Sequence, residues 1–216
     1  MESASTLSHD ARAPRRVTIL GAGRLGTALA GALADAGIAI DGPLGRGAPI
    51  SPDAAAVLLC VPESQLAAAA AAVPAGPLVG HCSGASTLEP LHPHEAFSLH
   101  PLITVTPAGA TFAGATAAIA GATPRALRAA EALALALGMR PVHVADADRE
   151  AYHAAASVAS NYLLTLEGLA ERLAATAGID REPLVELVRA TVENWARAGA
   201  AGGLTGPIAR GDDATV

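Results

Sequence analysis

A glycine-bearing turn placed directly after an apolar run constrains this chain more than any other feature. Val17-Thr18-Ile19-Leu20 reads as a buried strand, and Gly21-Ala22-Gly23-Arg24-Leu25-Gly26 follows at once, opening an Ala/Leu-rich run that stops near Gly37. With a second strand at Ile38-Ala39-Ile40, this is strand, glycine turn, helix and strand, the opening of a βαβ unit. Each glycine has a task. Gly21 allows the tight turn, Gly23 lets backbone approach a pyrophosphate, and Gly26 lets the helix pack on the strand. The helix N-terminus adds unpaired N–H groups and a partial positive charge. The glycine spacing by itself is weak evidence, but between a first strand and a helix it predicts a dinucleotide site at Gly21, Gly23, Arg24, Leu25 and Gly26.

The rest of the chain divides by pattern. Apolar strand-like runs recur at residues 57–61, 78–82, 97–99, 117–120 and 141–144. Helical segments separate them at 63–72 and from the Thr123-Pro124 cap to Gly138, and Ser86-Thr87-Leu88-Glu89 has the spacing of a capping box. Asp41-Gly42-Pro43-Leu44-Gly45-Arg46-Gly47 reads as a loop. From 148 to 177 the spacing is helical and uninterrupted. A second helix is expected over 180–198 and a third from Thr205-Gly206-Pro207. The fold class is therefore α/β: a Rossmann-type parallel-sheet domain over 15–146, then a smaller all-helical domain over 147–216, after a disordered leader at 1–14. The last helix has barely begun at Val216, so the helical domain is expected to be incomplete, or covered by a partner subunit.

Composition narrows the function classes. The chain has 216 residues, 51% of them hydrophobic and only 2% aromatic, so its core must be built from Ala, Leu, Val and Ile. Net charge is −6, and every basic side chain other than histidine is Arg. With no basic stripe, a nucleic-acid partner is excluded, and with no Lys there is no Lys nucleophile or proton donor. The two cysteines, Cys60 and Cys82, are expected as free thiols in a reducing cytoplasm. Cys82 lacks a positive partner and reads as a packed thiol. No apolar leader and no membrane span is evident. His92-Pro93-His94 has no ligand cluster around it, so no metal is expected.

Candidate site residues follow from where strands end. Val61 and Pro62 close the third strand, whose carboxyl end lines the crevice in this architecture. Asp41 has the spacing of the acid that holds the ribose hydroxyls of NAD, whereas Arg46 in the same loop suits the 2′-phosphate of NADP. NADP is favoured and NAD stays open. His81, Ser83 and His100 close the fourth and fifth strands as hydrogen-bond donors. On the long helix, His153, Ser157, Ser160 and Asn161 interrupt an Ala/Leu face; at about 100° per residue they lie within roughly 100° of one another. This stripe carries no charged residue, which points to a substrate cleft between domains. Thr205-Gly206-Pro207 caps the last helix and brings Arg210 forward as a partner for an anionic substrate.

Six motifs occur in order: Gly21-Ala22-Gly23-Arg24-Leu25-Gly26, His81-Cys82-Ser83-Gly84, Ser98-Leu99-His100-Pro101-Leu102, Tyr152-His153-Ala154-Ala155-Ala156, Ser160-Asn161-Tyr162 and Leu204-Thr205-Gly206-Pro207. With them the chain resembles the Rossmann-like proteins that carry a DUF2520 domain, related to pyrroline-5-carboxylate reductase and to 6-phosphogluconate-dehydrogenase-like enzymes. The resemblance implies an NADP-linked oxidoreductase with a helical C-terminal domain, often a homodimer. Many relatives in the wider superfamily use a Lys and an Asn on the interdomain helix; His153 and Asn161 stand in comparable places here.

The expected activity is hydride transfer between NADPH and a small carbonyl compound, with a 2-oxo acid such as ketopantoate as one example. In that reading His153 is the proton donor, having the right pKa range near neutrality. Asn161 and Ser157 orient the substrate oxygen, and His100, Ser160 and Arg210 bind the substrate. Gly21, Gly23, Arg24, Leu25, Gly26, Arg46, Val61, Pro62 and Ser83 hold the cofactor. The competing readings are an imine reductase of the pyrroline-carboxylate type and a dinucleotide-binding sensor or assembly protein without catalysis.

Overall fold

The computed structural model describes residues 13–206, 209, 211 and 212. All but the last two residues of the expected leader, and Arg210, lie outside them. Seven strands form one sheet: β1 (Arg16–Leu20), β2 (Ala39–Leu44), β3 (Ala56–Leu59), β4 (Leu78–His81), β5 (Ala96–Pro101), β6 (Thr116–Gly121) and β7 (Arg140–His143). Their order is β2-β1-β3-β4-β5-β6-β7. Helices α1 (Arg24–Asp35), α2 (Leu66–Ala71) and α3 (Pro124–Ala136) connect β1 to β2, β3 to β4 and β6 to β7. Thr123 caps α3 as its sequence predicts, accepting from the Ala126 N–H at 3.1 Å.

Two expectations about the sheet need correction. It is not wholly parallel, because β6 runs antiparallel to β5. No helix lies between Pro101 and Thr116 to carry the chain back across the sheet, and a parallel return needs such a crossover. The segment read as a loop from Asp41 is also strand as far as Leu44. The β1–β2 register shifts between Thr18–Asp41 and Leu20–Leu44. This bulge absorbs Gly42 (φ 117°) and Pro43 on an edge strand, where a missing N–H is tolerated.

Alternating side chains of the central strands feed two cores. Val17, Ile19, Leu58, Phe97 and Leu99 pack with Leu29 and Leu33 of α1 and Leu133 of α3. Val57, Leu59 and Val79 pack with Leu66 and Ala70 of α2. The sheet therefore buries both faces, as its β3 and β4 apolar runs require.

After β7 the chain is helical, but not in one piece. α4 (Arg149–Ser157) gives way to a π-helical turn (Val158–Tyr162) before α5 (Leu163–Thr176). The uninterrupted helix expected over 148–177 is thus broken, and 100° per residue does not hold through Ser160 and Asn161. Hydrophobic spacing cannot reveal one wide turn inside a helix. α6 (Glu182–Gly203) follows, with a non-helical Gly199.

The chain divides into two compact units after Ser157. α4 thus belongs to the sheet-bearing unit, whereas the sequence pattern changes earlier, after Asp146. Within the second unit neither α5 nor α6 buries a residue. Among the described residues no helix is long and apolar enough to cross a membrane.

Candidate functional site

The glycine turn sits where β1, β2 and β3 end together. The Gly21 N–H donates to the Leu44 carbonyl at 2.8 Å, and the Cys60 N–H donates to the Leu20 carbonyl at 2.7 Å. This pins the turn between its neighbours. Gly21 has φ 114°, and a Cβ there would lie 2.2 Å from the Cys60 carbonyl oxygen. A Cβ on Gly26 would lie 1.9 Å from the Gly21 carbonyl oxygen, so the third glycine serves the turn itself, beyond the helix packing its spacing suggests. Gly23 differs, since a Cβ on it would meet nothing within 4 Å. Gly23 also begins α1 without a side-chain cap, and no acid occupies the first helical turn. The first amides of α1 are thus uncapped by any side chain, beside open space, the arrangement that holds an anion.

Two cavities flank this turn. One of about 650 Å³ is lined by Gly21, Ala22, Gly23, Leu44, Arg46, Cys60, Val61, Pro62, Ser64 and Gln65, among others. One of about 370 Å³ is lined by Gly23, Arg24, Leu25, Cys60, Val61, Pro62, Glu63, Cys82, Ser83 and Val105. They share Gly23, Cys60, Val61 and Pro62, so they form one groove along the carboxyl ends of β1, β3 and β4. Arg46 stands in the larger cavity and donates to Gln65 Oε1 at 3.0 Å. Asp41 lines neither cavity; it is ion-paired with Arg16 at 2.8 Å. The charged side chain on the wall of the larger cavity is therefore Arg46, which suits an anionic group.

Behind the smaller cavity lies a polar cluster. Arg149, the first residue of α4, is fully buried. Its Nε donates to Asp146 Oδ1 at 3.1 Å, and its Nη groups donate to the Ser83 carbonyl at 3.5 Å and to Ser98 Oγ. His81 is fully buried too: Nε2 donates to the Thr87 carbonyl at 3.0 Å, and Nδ1 accepts from the Ser83 N–H at 3.1 Å. Burial pushes its pKa down to about 4, so it is a neutral brace for the turn that follows β4. Ser83 Oγ accepts from the Ser86 N–H at 2.9 Å and donates to Glu63.

One turn along α4, Tyr152 and His153 approach β5. The Tyr152 hydroxyl and His100 Nδ1 are hydrogen-bonded, and the His100 and His153 rings meet edge to face, centroids 6.5 Å apart. Gly84 makes this possible: a Cβ there would lie 2.8 Å from His153 Nδ1 and 3.1 Å from His100 Nε2. Burial, then the neighbouring His153 and Arg149, hold the His100 pKa down at about 4. His153 Nδ1 is buried without a hydrogen-bond partner.

The sheet unit thus brings Gly21, Gly23, Arg24, Leu25, Arg46, Val61, Pro62 and Ser83 onto one groove, with Gly26 directly beneath the turn. It places His100 and His153 together beside Gly84, and Ser157 at the end of α4. Ser160 and Asn161 lie on the π turn of the second unit; the Asn161 carbonyl accepts from Thr165 Oγ1 at 2.9 Å. Arg149 and Tyr152 were missed by sequence reasoning. Their partners are 66, 51 and 52 residues away, and the local signals were an Arg opening a helix and the place of Tyr152 in the fourth motif. Among the described residues no group of three His, Cys, Asp or Glu is placed to hold a metal ion.

No curated protein matches the chain. Its fold is shared with solved structures. A Bacteroides fragilis protein assigned as an NADP oxidoreductase is 18% identical, with 94% of this chain and 88% of that one covered at a TM-score of 0.80. A Thermotoga maritima protein is 20% identical, with coverage of 91% and 85% and a TM-score of 0.70. The pyrroline carboxylate reductase of Plasmodium falciparum, solved with NADP bound, is 13% identical, with coverage of 94% and 84% and a TM-score of 0.61. Residues 115–216 match the family described as a domain of unknown function, DUF2520. The chain therefore has a Rossmann-type fold, and its residues 115–216, just under half of it, are similar to the DUF2520 family.

Proposed function

We propose that this chain is an NADP-dependent oxidoreductase that reduces a small carbonyl compound, with 2-oxo acids such as ketopantoate as the first substrates to try. The observation that carries the reading is the groove itself, running from Arg46 past the open Gly23 to Ser83 along the carboxyl ends of three strands. The uncapped amides of α1 suit a pyrophosphate, and Arg46 suits the 2′-phosphate. Bound there, NADPH supplies the hydride. His153 is the proton donor in this reading, because it stands beside His100 against Gly84, the residue that follows the groove-lining Ser83. Neutral His100 donates to the same oxygen.

The test is calorimetry with NADPH and NADH, followed by loss of NADPH absorbance against a panel of 2-oxo acids and cyclic imines. NADPH should bind more tightly than NADH, and His153→Ala should lower turnover by about a hundredfold. Absence of heat with either nucleotide would end the proposal. Turnover of the cyclic imines alone would favour a second reading, imine reduction, which the shared fold with a pyrroline carboxylate reductase supports.

A homodimer formed through the second unit belongs to the same reading. Leu166 is 62% exposed, Leu187 65% and Trp195 58% in the single chain. So much apolar surface on two helices without a buried residue calls for a partner, and a second copy is the simplest.

A further inference from the structure

We propose that Cys60 and Cys82 form a dithiol that hydroperoxides close to an intramolecular disulfide. The two Sγ atoms are already 3.8 Å apart. The residues follow Leu59 and His81, which are paired in register across β3 and β4, so they continue the ladder side by side. Adjacent strands lie about 4.8 Å apart, inside the roughly 4.4–6.8 Å span of Cα atoms that a disulfide bridges. Small side-chain rotations then bring the sulfurs to bonding distance.

The groove gives a small oxidant access. Cys60 is half-buried and lines both cavities, whereas Cys82 is buried and touches only the smaller one. Cys60 is therefore the thiol oxidised first. Its thiolate displaces hydroxide from hydrogen peroxide; the O–O bond breaks, an S–O bond forms, and the hydroxide leaves as water after taking up a proton. The Cys82 sulfur then attacks the Cys60 sulfenic sulfur: the S–O bond breaks, the S–S bond forms, and the departing hydroxide leaves as a second water with the Cys82 proton. Overall two thiols and one peroxide give one disulfide and two waters. The hydrogen bond with Cys60, and then burial, push the Cys82 thiol up, which leaves Cys60 as the first nucleophile.

This inference does not need the nucleotide reading, and its test uses no nucleotide. The reduced full chain is treated with hydrogen peroxide, alkylated, and cleaved after Glu63 and Glu89, which puts the two cysteines on different peptides. A cross-linked pair of these peptides, lighter by about 2 Da than their sum and separated by dithiothreitol, is the expected product in monomeric protein. Cys82→Ser should instead accumulate a Cys60 sulfenic acid that dimedone traps. Three results would overturn the proposal: oxygen added to Cys60 with Cys82 still alkylated, cross-links only between two chains, or both thiols unchanged. The wild-type map alone decides the matter if the variant fails to fold.

Discussion

The Tyr152 hydroxyl lies 2.8 Å from Nδ1 of His100, and the two rings meet edge to face with centroids 5.6 Å apart. With the phenol donating to Nδ1, the ring proton of neutral His100 sits on Nε2, the nitrogen that faces Gly84. Tyr152→Phe removes that instruction and leaves the ring in place. We expect turnover to fall about tenfold while the KM for NADPH is unchanged. A KM effect of the same size would instead mean that Tyr152 shapes the nucleotide groove.

One buried and one half-buried imidazole make stability depend on acid. His81 and His100 both have pKa values held at about 4 by burial, against 6.5 for an exposed ring. The unfolded chain therefore binds more protons than the folded one between these values. The stabilising contribution is complete above pH 6.5 and is lost as pH falls toward 4, by up to roughly 3 kcal/mol per ring. Urea unfolding at about pH 7, 5.5 and 4.5 should show the midpoint dropping steeply across this window. A flat response would mean that one or both rings are protonated when folded.

Gly23 and Gly26 should part company when each is changed to Ala. At Gly23 there is room for a methyl group, so the fold should be untouched while NADPH binding weakens by at least about tenfold, because the methyl occupies the anion's approach. At Gly26 the methyl meets the Gly21 carbonyl, and stability should fall by about 3 kcal/mol before any ligand is added. Thermal unfolding and calorimetry on both variants separate the two effects.

Arg46 is the test of nucleotide preference. Arg46→Ala should weaken NADPH about ten- to a hundredfold, the size of a lost charge-assisted hydrogen bond, and leave NADH alone. Equal losses for both nucleotides would place Arg46 against a shared phosphate instead.

The helical unit offers a fifth measurement. Wild-type chain should sediment as a dimer at micromolar concentration, and Leu166→Glu combined with Leu187→Glu should give a folded monomer. A wild-type chain that sediments as a monomer would remove the homodimer from the proposal.

Much of the glycine turn and its surroundings was legible because their determinants are local. The glycine turn, its flanking strand and helix, and the Thr123-Pro124 cap all lie within a few residues of one another. The features that escaped are set by distant partners or by exceptions to periodicity. The Asp41–Leu44 segment carries turn residues yet pairs at a sheet edge, where a bulge accommodates them. The antiparallel β6 depends on the absence of a crossover helix, which alternation of strands does not reveal. Cys60 and Cys82 read in the sequence as two unrelated free thiols, and only strand register puts them side by side. The π turn has the same hydrophobic spacing as the helix around it.

The buried guanidinium of Arg149 ties α4 to the order of assembly. Two of its three acceptors sit on segments that close only when β4 and β5 are paired, so a partly assembled sheet would leave the guanidinium with the neighbouring Asp146 carboxylate alone. α4 is therefore expected to gain protection from hydrogen exchange together with the central strands, and fraying from its first turn should be as rare as opening of the sheet itself.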